Sequence, residues 1–249
     1  MQHVINTCST TEVIAVSPAA ESTENELPSA RLYDWIKSLT DFSIAFVLFV
    51  LFLPVMVVAA ILVRATSRGP AIYSQVRVGR GGRQFFIYKL RTMRHNCEAQ
   101  TGPTWCVERD PRITKIGRFL RKTHLDELPQ LWNVLRGDMS LVGPRPERPE
   151  IIEELERHLE GYRGRLAVKP GVTGLAQIQR PSDTDLRSVR EKLVLDLCYV
   201  ERYGAFFDLR LLAGTALYLA GVSYVGVRKA MSLPTGEREP SLQLFPERG

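Results

Sequence analysis

The 249-residue sequence predicts an α+β fold, mostly helical, held to a membrane by its N-terminal part. Three observations predict it. Residues 42–63 form a run of 22 without a charge. Two β-rich segments flank a glycine-rich tetrapeptide near residue 80. Stretches beyond residue 124 repeat apolar residues at helical spacing. The length fits one domain or slightly more.

Residues 1–29 are rich in Ser, Thr, Glu and Ala and hold no Lys or Arg. Without a basic start or an early apolar core this is not a cleaved signal peptide, and a disordered tail is expected. The run FSIAFVLFVLFLPVMVVAAILV follows at 42–63. As a helix it extends about 33 Å at ~1.5 Å per residue, enough for a bilayer core. Pro54, near its middle, removes one helical hydrogen bond and predicts a kink. On the residues alone two topologies stay open: a bent crossing, or a bend that returns the chain to the side it entered. Basic residues flank both ends, Arg31 and Lys37 before, Arg64 and Arg68 after. The strongly basic side beyond Arg64 is expected to face the cytoplasm and its anionic lipids.

Ile72–Val78 and Gln84–Leu90 read as a β-hairpin around Gly79-Arg80-Gly81-Gly82. A polar loop is expected over 95–111, with Trp105 either a core anchor or a membrane-interface ring. Gln130–Leu135 reads as a short helix, opened by Pro129 and stopped by Arg136-Gly137. EIIEELERHLE (150–160) is amphipathic and reads as a solvated helix. VKPGVTG (168–174) is a turn whose Gly171 and Gly174 permit close backbone approach to a ligand, or else a plain connecting loop. Residues 185–202 carry apolar side chains at 186, 189, 193, 197 and 200, a helical stripe suited to packing. Residues 206–227 are apolar but interrupted by Asp208 and Arg210. They read as an interfacial helix against the membrane surface or the core, or as a second span. The expected divisions are a tail at 1–29, a membrane segment at 30–66, a cytoplasmic domain at 67–228 and a second disordered tail at 229–249.

Charge is unevenly placed. Residues 64–123 carry 14 Lys/Arg against 3 Asp/Glu, whereas 124–163 carry 9 acids against 5 bases. Arginine outnumbers lysine 26 to 7, and its planar fork matches phosphate oxygens bidentately; a GC-rich genome explains the ratio equally well, but not the clustering. The four cysteines (8, 97, 106, 198) show no metal or disulfide spacing, and the four histidines make no ligand set. That argues against zinc and Cys/His chemistry, and no nucleic-acid partner is expected.

The basic block leads into HLDELPQLWNVLRGDMSLVGPRPERP (124–149), which joins adjacent carboxylates, Asp126 and Glu127, to an arginine framed by prolines, Arg145. Pro129 suits a first helical turn, so the two acids stand just before a helix N-terminus, where negative charge is favoured. The plain reading is a surface helix with an acidic start and a proline-rich loop. Set beside a membrane segment and a basic block, the pair suits anionic substrates handled at a membrane surface. Phosphoryl transfer needs neutralised charge and an in-line nucleophile, and aspartate is an established one.

The segments GPAIYSQVRVG, YKLRTM, LRKTHLDELPQLWNVLRGDMSLVGPRP and KPGVTGLAQ resemble the bacterial sugar transferase family, the monotopic polyprenyl-phosphate phosphoglycosyl transferases, in their minimal form. The resemblance runs in order from about residue 31 to about residue 226. It implies transfer of a sugar-1-phosphate from a UDP-sugar to polyprenyl phosphate with release of UMP, the first step of glycan assembly on a lipid carrier at the bacterial inner membrane. It implies a ping-pong course in which Asp126 is the nucleophile that forms an acyl-phosphate. Glu127 completes the dyad, and Mg²⁺ bridges Asp126 and the diphosphate. It makes Arg121 a phosphate-binding residue, with Arg145, Lys89 and Arg118 as further candidates. It also implies a re-entrant membrane helix broken at a Ser-Pro pair; here the pair is Leu53-Pro54. Many relatives carry Gly-Arg-Asn in the region where this chain has IQRPSDTDLR (178–187), so donor specificity does not carry over.

Two other classes fit some features. A non-catalytic membrane-anchored module that binds polyanions or partner proteins explains the apolar run and the basic block, but not the acidic pair. A membrane phosphatase using Asp126 predicts water as acceptor. The sugar, the polyprenol length, the glycan pathway and any homo-oligomer stay open.

Overall fold

The structure, a computed structural model, describes residues 28–95, 97, 110–181 and 185–235. The expected tails lie outside the described residues except at their inner ends, as do Trp105 and most of the 95–111 loop. The fold is α+β and mostly helical, with two small two-stranded sheets among the described residues.

Pro28–Thr66 form one long helix, α1. A stripe of α1 is buried at Lys37, Asp41, Ala45, Met56, Ala59 and Val63, while its other faces expose Phe42, Phe46, Val50, Leu51, Val57 and Ile61. The stripe repeats every three to four residues, so one side lies along the rest of the protein. Both ends attach to the same body. Lys37 at the start pairs with Asp208, and Ala59 and Val63 near the end pack with Leu90 and Leu120. The chain stays helical through Pro54, which is exposed, at the Leu53-Pro54 pair. Proline removes one N–H, and packing on either side of it over-determines the helix.

The hairpin forms as expected. β1 (Ile72–Val78) and β2 (Gln84–Leu90) are antiparallel, with Ile72 opposite Leu90, and Gly81 and Gly82 take positive φ at the turn. Residues Lys115–Lys122 form α2, whose N-terminus is capped by the Thr114 side chain accepting from the Gly117 N–H. Gly117 lies so close to β2's continuation that an added Cβ would stand 1.9 Å from the Thr92 carbonyl oxygen. A 3₁₀ turn at Leu125–Glu127 then leads to α3 (Gln130–Leu135).

β3 (Ser140–Val142) pairs in parallel with β4 (Gly171–Thr173), Ser140 opposite Gly171. This corrects the reading of 168–174 as a turn or loop. The glycine there does admit a close backbone, but it is protein rather than ligand: a Cβ on Gly171 would lie 2.1 Å from the Gly143 nitrogen. Between them, α4 (Pro149–His158) is solvated on one face and buries Ile152 and Leu155 on the other. Next comes α5 (Leu186–Glu201), begun by a reciprocal capping box between Asp185 and Ser188. The apolar stretch 206–227 is two helices, α6 (Ala205–Leu219) and α7 (Tyr224–Ala230), parted at Gly221, whose φ is +90°. The main core gathers Leu131 of α3, Leu141 of β3, Leu195 and Tyr199 of α5 and Leu211 of α6, with Met139 just before β3 and Ile178 from the connection after β4.

Candidate active site

The dyad sits between α2 and α3, not within either. His124 takes a left-handed backbone, and the 3₁₀ turn that follows presents Asp126 and Glu127 before α3 begins. Adjacent residues on a regular helix diverge by roughly 100°, so a turn ahead of the helix is what a paired role requires. Asp126 is buried and Glu127 half-buried.

Glu127 is the centre of the charge pattern. Its Oε1 accepts from Lys89 Nζ at 3.1 Å and from Arg145 Nη2 at 2.7 Å. Lys89 comes from β2, and buried Asn133 of α3 fixes that strand. The Asn133 amide accepts from the Tyr88 N–H and donates to the Phe86 carbonyl, gripping β2 beside Lys89. Arg145 follows β3 between two prolines that extend the backbone. Its carbonyl accepts from Arg165 at 2.8 Å, and the preceding Pro144 carbonyl accepts from the Gly171 N–H. Arg165 in turn is buried against Asp196 at 2.6 Å.

The two carboxyls are driven apart. Burial pushes Glu127 up, but Arg145 and Lys89 outweigh it and hold the group well below the usual carboxylate range. Burial and the neighbouring Glu127 raise Asp126 against the pull of Lys89, Arg121 and Arg145. Burial and Arg145 lower Lys89, with Glu127 opposing. Among the described residues no hydrogen-bond donor occupies the Asp126 carboxylate, so its oxygens are available to an incoming group.

Of the residues expected from sequence, Asp126, Glu127, Lys89, Arg145 and Arg121 converge. Arg121, in the last turn of α2, donates through Nε to Thr92 at 2.8 Å and acts electrostatically on Asp126. Arg118 does not join them. It is exposed one turn earlier and forms no ion pair with either carboxylate among the described residues. Sequence reasoning did not find Thr92, Asn133 or Arg165. An Asn between apolar residues in LWNVL (131–135) was the one signal available for Asn133. It also missed that His124 packs against Tyr218 of α6, ring centroids 5.6 Å apart.

The expected Mg²⁺ fits this donor set in one form only. Hard cations of this kind are bound through one or two carboxylates plus substrate phosphates. Asp126 suits that, whereas Glu127 Oε1 already faces two cations. Among the described residues no group of three or more His, Cys, Asp or Glu side chains is placed to hold a metal by itself. The fit is to an ion shared with a phosphate, not to an all-protein cage.

The chain is similar to several characterised proteins. It is 39% identical over 75% of its length, and 44% of theirs, to the UDP-N-acetylgalactosamine-undecaprenyl-phosphate N-acetylgalactosaminephosphotransferase of Aeromonas hydrophila. It is 38% identical to the UDP-glucose:undecaprenyl-phosphate glucose-1-phosphate transferase of Xanthomonas campestris pv. campestris, over 74% of this chain and 39% of that protein. A protein of Caulobacter vibrioides with the same name as the latter is 35% identical over 86% of this chain and 78% of its own length. The chain thus spans less than half the length of the first two relatives. A family model described as bacterial sugar transferase matches residues 32–221. With the dyad, its basic partners and this match in hand, the chain belongs to the bacterial sugar transferase family.

Proposed function

We propose that the protein transfers a sugar-1-phosphate from a UDP-sugar to a polyprenyl phosphate, leaving UMP and a polyprenyl-diphosphate-sugar. The observation that carries this reading is the Asp126–Glu127 turn. One buried carboxylate has no donor on it, and its neighbour is held ionised by Lys89 and Arg145. The names of the relatives, each an undecaprenyl-phosphate sugar phosphotransferase, support the substrate class.

In the first half-reaction an Asp126 oxygen attacks the sugar-bearing phosphorus, a P–O bond to UMP breaks, and an acyl-phosphate forms. In the second, an oxygen of polyprenyl phosphate attacks the same phosphorus and the acyl P–O bond breaks, returning the carboxylate. Glu127 keeps Lys89 and Arg145 aimed at the turn. Each cation keeps further N–H donors for phosphate oxygens. Arg121 adds positive charge from the α2 side. Asp126, together with phosphate oxygens, would hold magnesium, which would supply neutralisation of phosphate charge.

Localisation follows the anchor. The described helix α1 is long and apolar enough to cross a membrane, yet both its ends hold to one body. That supports an anchor whose two ends stay on the cytoplasmic side, as the re-entrant reading requires, with the catalytic domain on that face. Incubating membranes with UDP-sugars and polyprenyl phosphate tests the reaction through UMP release. Asp126→Asn should abolish release and any trapped phosphosugar adduct, and full activity in that variant sinks the mechanism. Free sugar phosphate in place of a lipid-linked product means water is the acceptor.

A further inference from the structure

His124, two residues before Asp126, holds its backbone at φ 57°. Ser232 is the only other non-glycine residue with positive φ among the described residues. Such a conformation is costly for a side chain with a Cβ and persists only where the surroundings over-determine it. Here it is the pivot of the site. The His124 N–H donates to the Arg121 carbonyl at 3.3 Å, and the Glu127 N–H donates to the His124 carbonyl at 3.2 Å. The left-handed residue therefore turns the chain out of α2 and into the turn that presents both carboxylates.

What over-determines it comes from the far end of the chain. The imidazole packs on Tyr218 of α6 at 5.6 Å, the rings tilted by 58°. Tyr218 stacks on Tyr224 of α7 at 5.3 Å and 25°, their hydroxyls 3.3 Å apart. Tyr218 also lies within electrostatic reach of Glu127: burial, Tyr224 and Glu127 push its phenol up to about 12.

We propose that the Tyr218–Tyr224 stack clamps His124 in its left-handed conformation, making His124 a positioning residue for Asp126 and Glu127. The inference rests on the reaction proposed above, and its test separates the two. Glycine adopts this backbone freely and asparagine readily, whereas alanine keeps the strain and offers no ring to clamp.

His124→Ala should lower kcat for UMP release on the order of tenfold with donor KM unchanged, and His124→Gly and His124→Asn should restore it to within about threefold. Tyr218→Leu should cost on the order of tenfold in the native background and less than about threefold in the His124→Gly background, where no strained residue needs clamping. Unfolding midpoints in detergent should show the same non-additivity and need no substrate. Equal cost of Tyr218→Leu in both backgrounds overturns the clamp and marks the ring as a substrate contact. Additive unfolding midpoints, or His124→Gly as slow as His124→Ala, overturn it as well. If the native protein releases no UMP from any UDP-sugar, the proposed reaction fails, and the unfolding cycle alone decides the clamp.

Discussion

Arg145 donates to Glu127 at 2.7 Å, and that bond joins the segment after β3 to the turn before α3. The guanidinium also keeps N–H groups beyond the one it spends on Glu127, because its fork carries five. Glu127 thus aims the arginine without using it up.

Arg145→Ala should therefore lower kcat for UMP release by about 10²–10³, the usual cost of removing one preorganised donor from developing charge. Arg145→Lys should recover only part, since a point charge cannot reproduce a planar fork. Steady-state kinetics across the three proteins checks this, and a fully active Arg145→Ala would remove the residue from the site.

Burial and Glu127 raise Asp126, so the folded protein keeps that proton at pH values where the unfolded chain has lost it. Stability from this group falls as pH rises from the ordinary aspartate range to the raised value, then levels off. Glu127 runs the other way. Its lowered pKa contributes stability present above the ordinary glutamate range and lost as pH falls through the depressed value. Glu127→Gln removes the repulsion on Asp126 and should shift the Asp126 titration to lower pH. Carboxyl NMR titration measures both, and an unmoved Asp126 midpoint contradicts the pairing.

Asp208 of α6 accepts from Tyr33, Tyr199 and Lys37, all in a buried cluster at the start of α1. Asp208→Ala leaves Lys37 buried with Asp41, at 3.5 Å, as its remaining ion-pair partner among the described residues. Breaking a buried pair from one side costs about 3–5 kcal/mol. Denaturant unfolding in detergent should show that loss, whereas a change below ~1 kcal/mol would mean the cluster is solvated.

An impermeant thiol reagent reports the anchor's topology. Cys8 precedes α1 and Cys97, a half-exposed free thiol, follows it. Neither should react in intact cells, and Cys97 should react once the membrane is opened. Labelling of Cys8 alone in intact cells means that α1 spans.

Much of this was legible before the structure. Ile72–Val78, Gln84–Leu90 and Gln130–Leu135 form within the limits their turn and stop residues imply. Asp126 and Glu127 stand ahead of a helix because Pro129 starts it. β3 and β4 escaped notice because three residues each are too few to show an alternation, and their pairing is set by the backbone contact of Gly143 with Gly171. Gly221 splits 206–227 by a backbone angle that composition does not display. Thr92, Arg165 and the Tyr218–His124 contact act on the site across long sequence separations, so no local pattern announces them.

The parallel pairing of β3 with β4 has a practical consequence for anyone dividing the chain. Ser140 N–H finds its acceptor on Pro170, and Gly143 N–H finds its own on Thr173. A fragment ending before Lys169 would retain every residue of the acidic motif yet lose both acceptors, along with the Gly171 donor to Pro144. Arg145 would then hang from an unbraced edge. The shortest fragment that keeps Arg145 braced is accordingly set by the sheet, not by the signature motif.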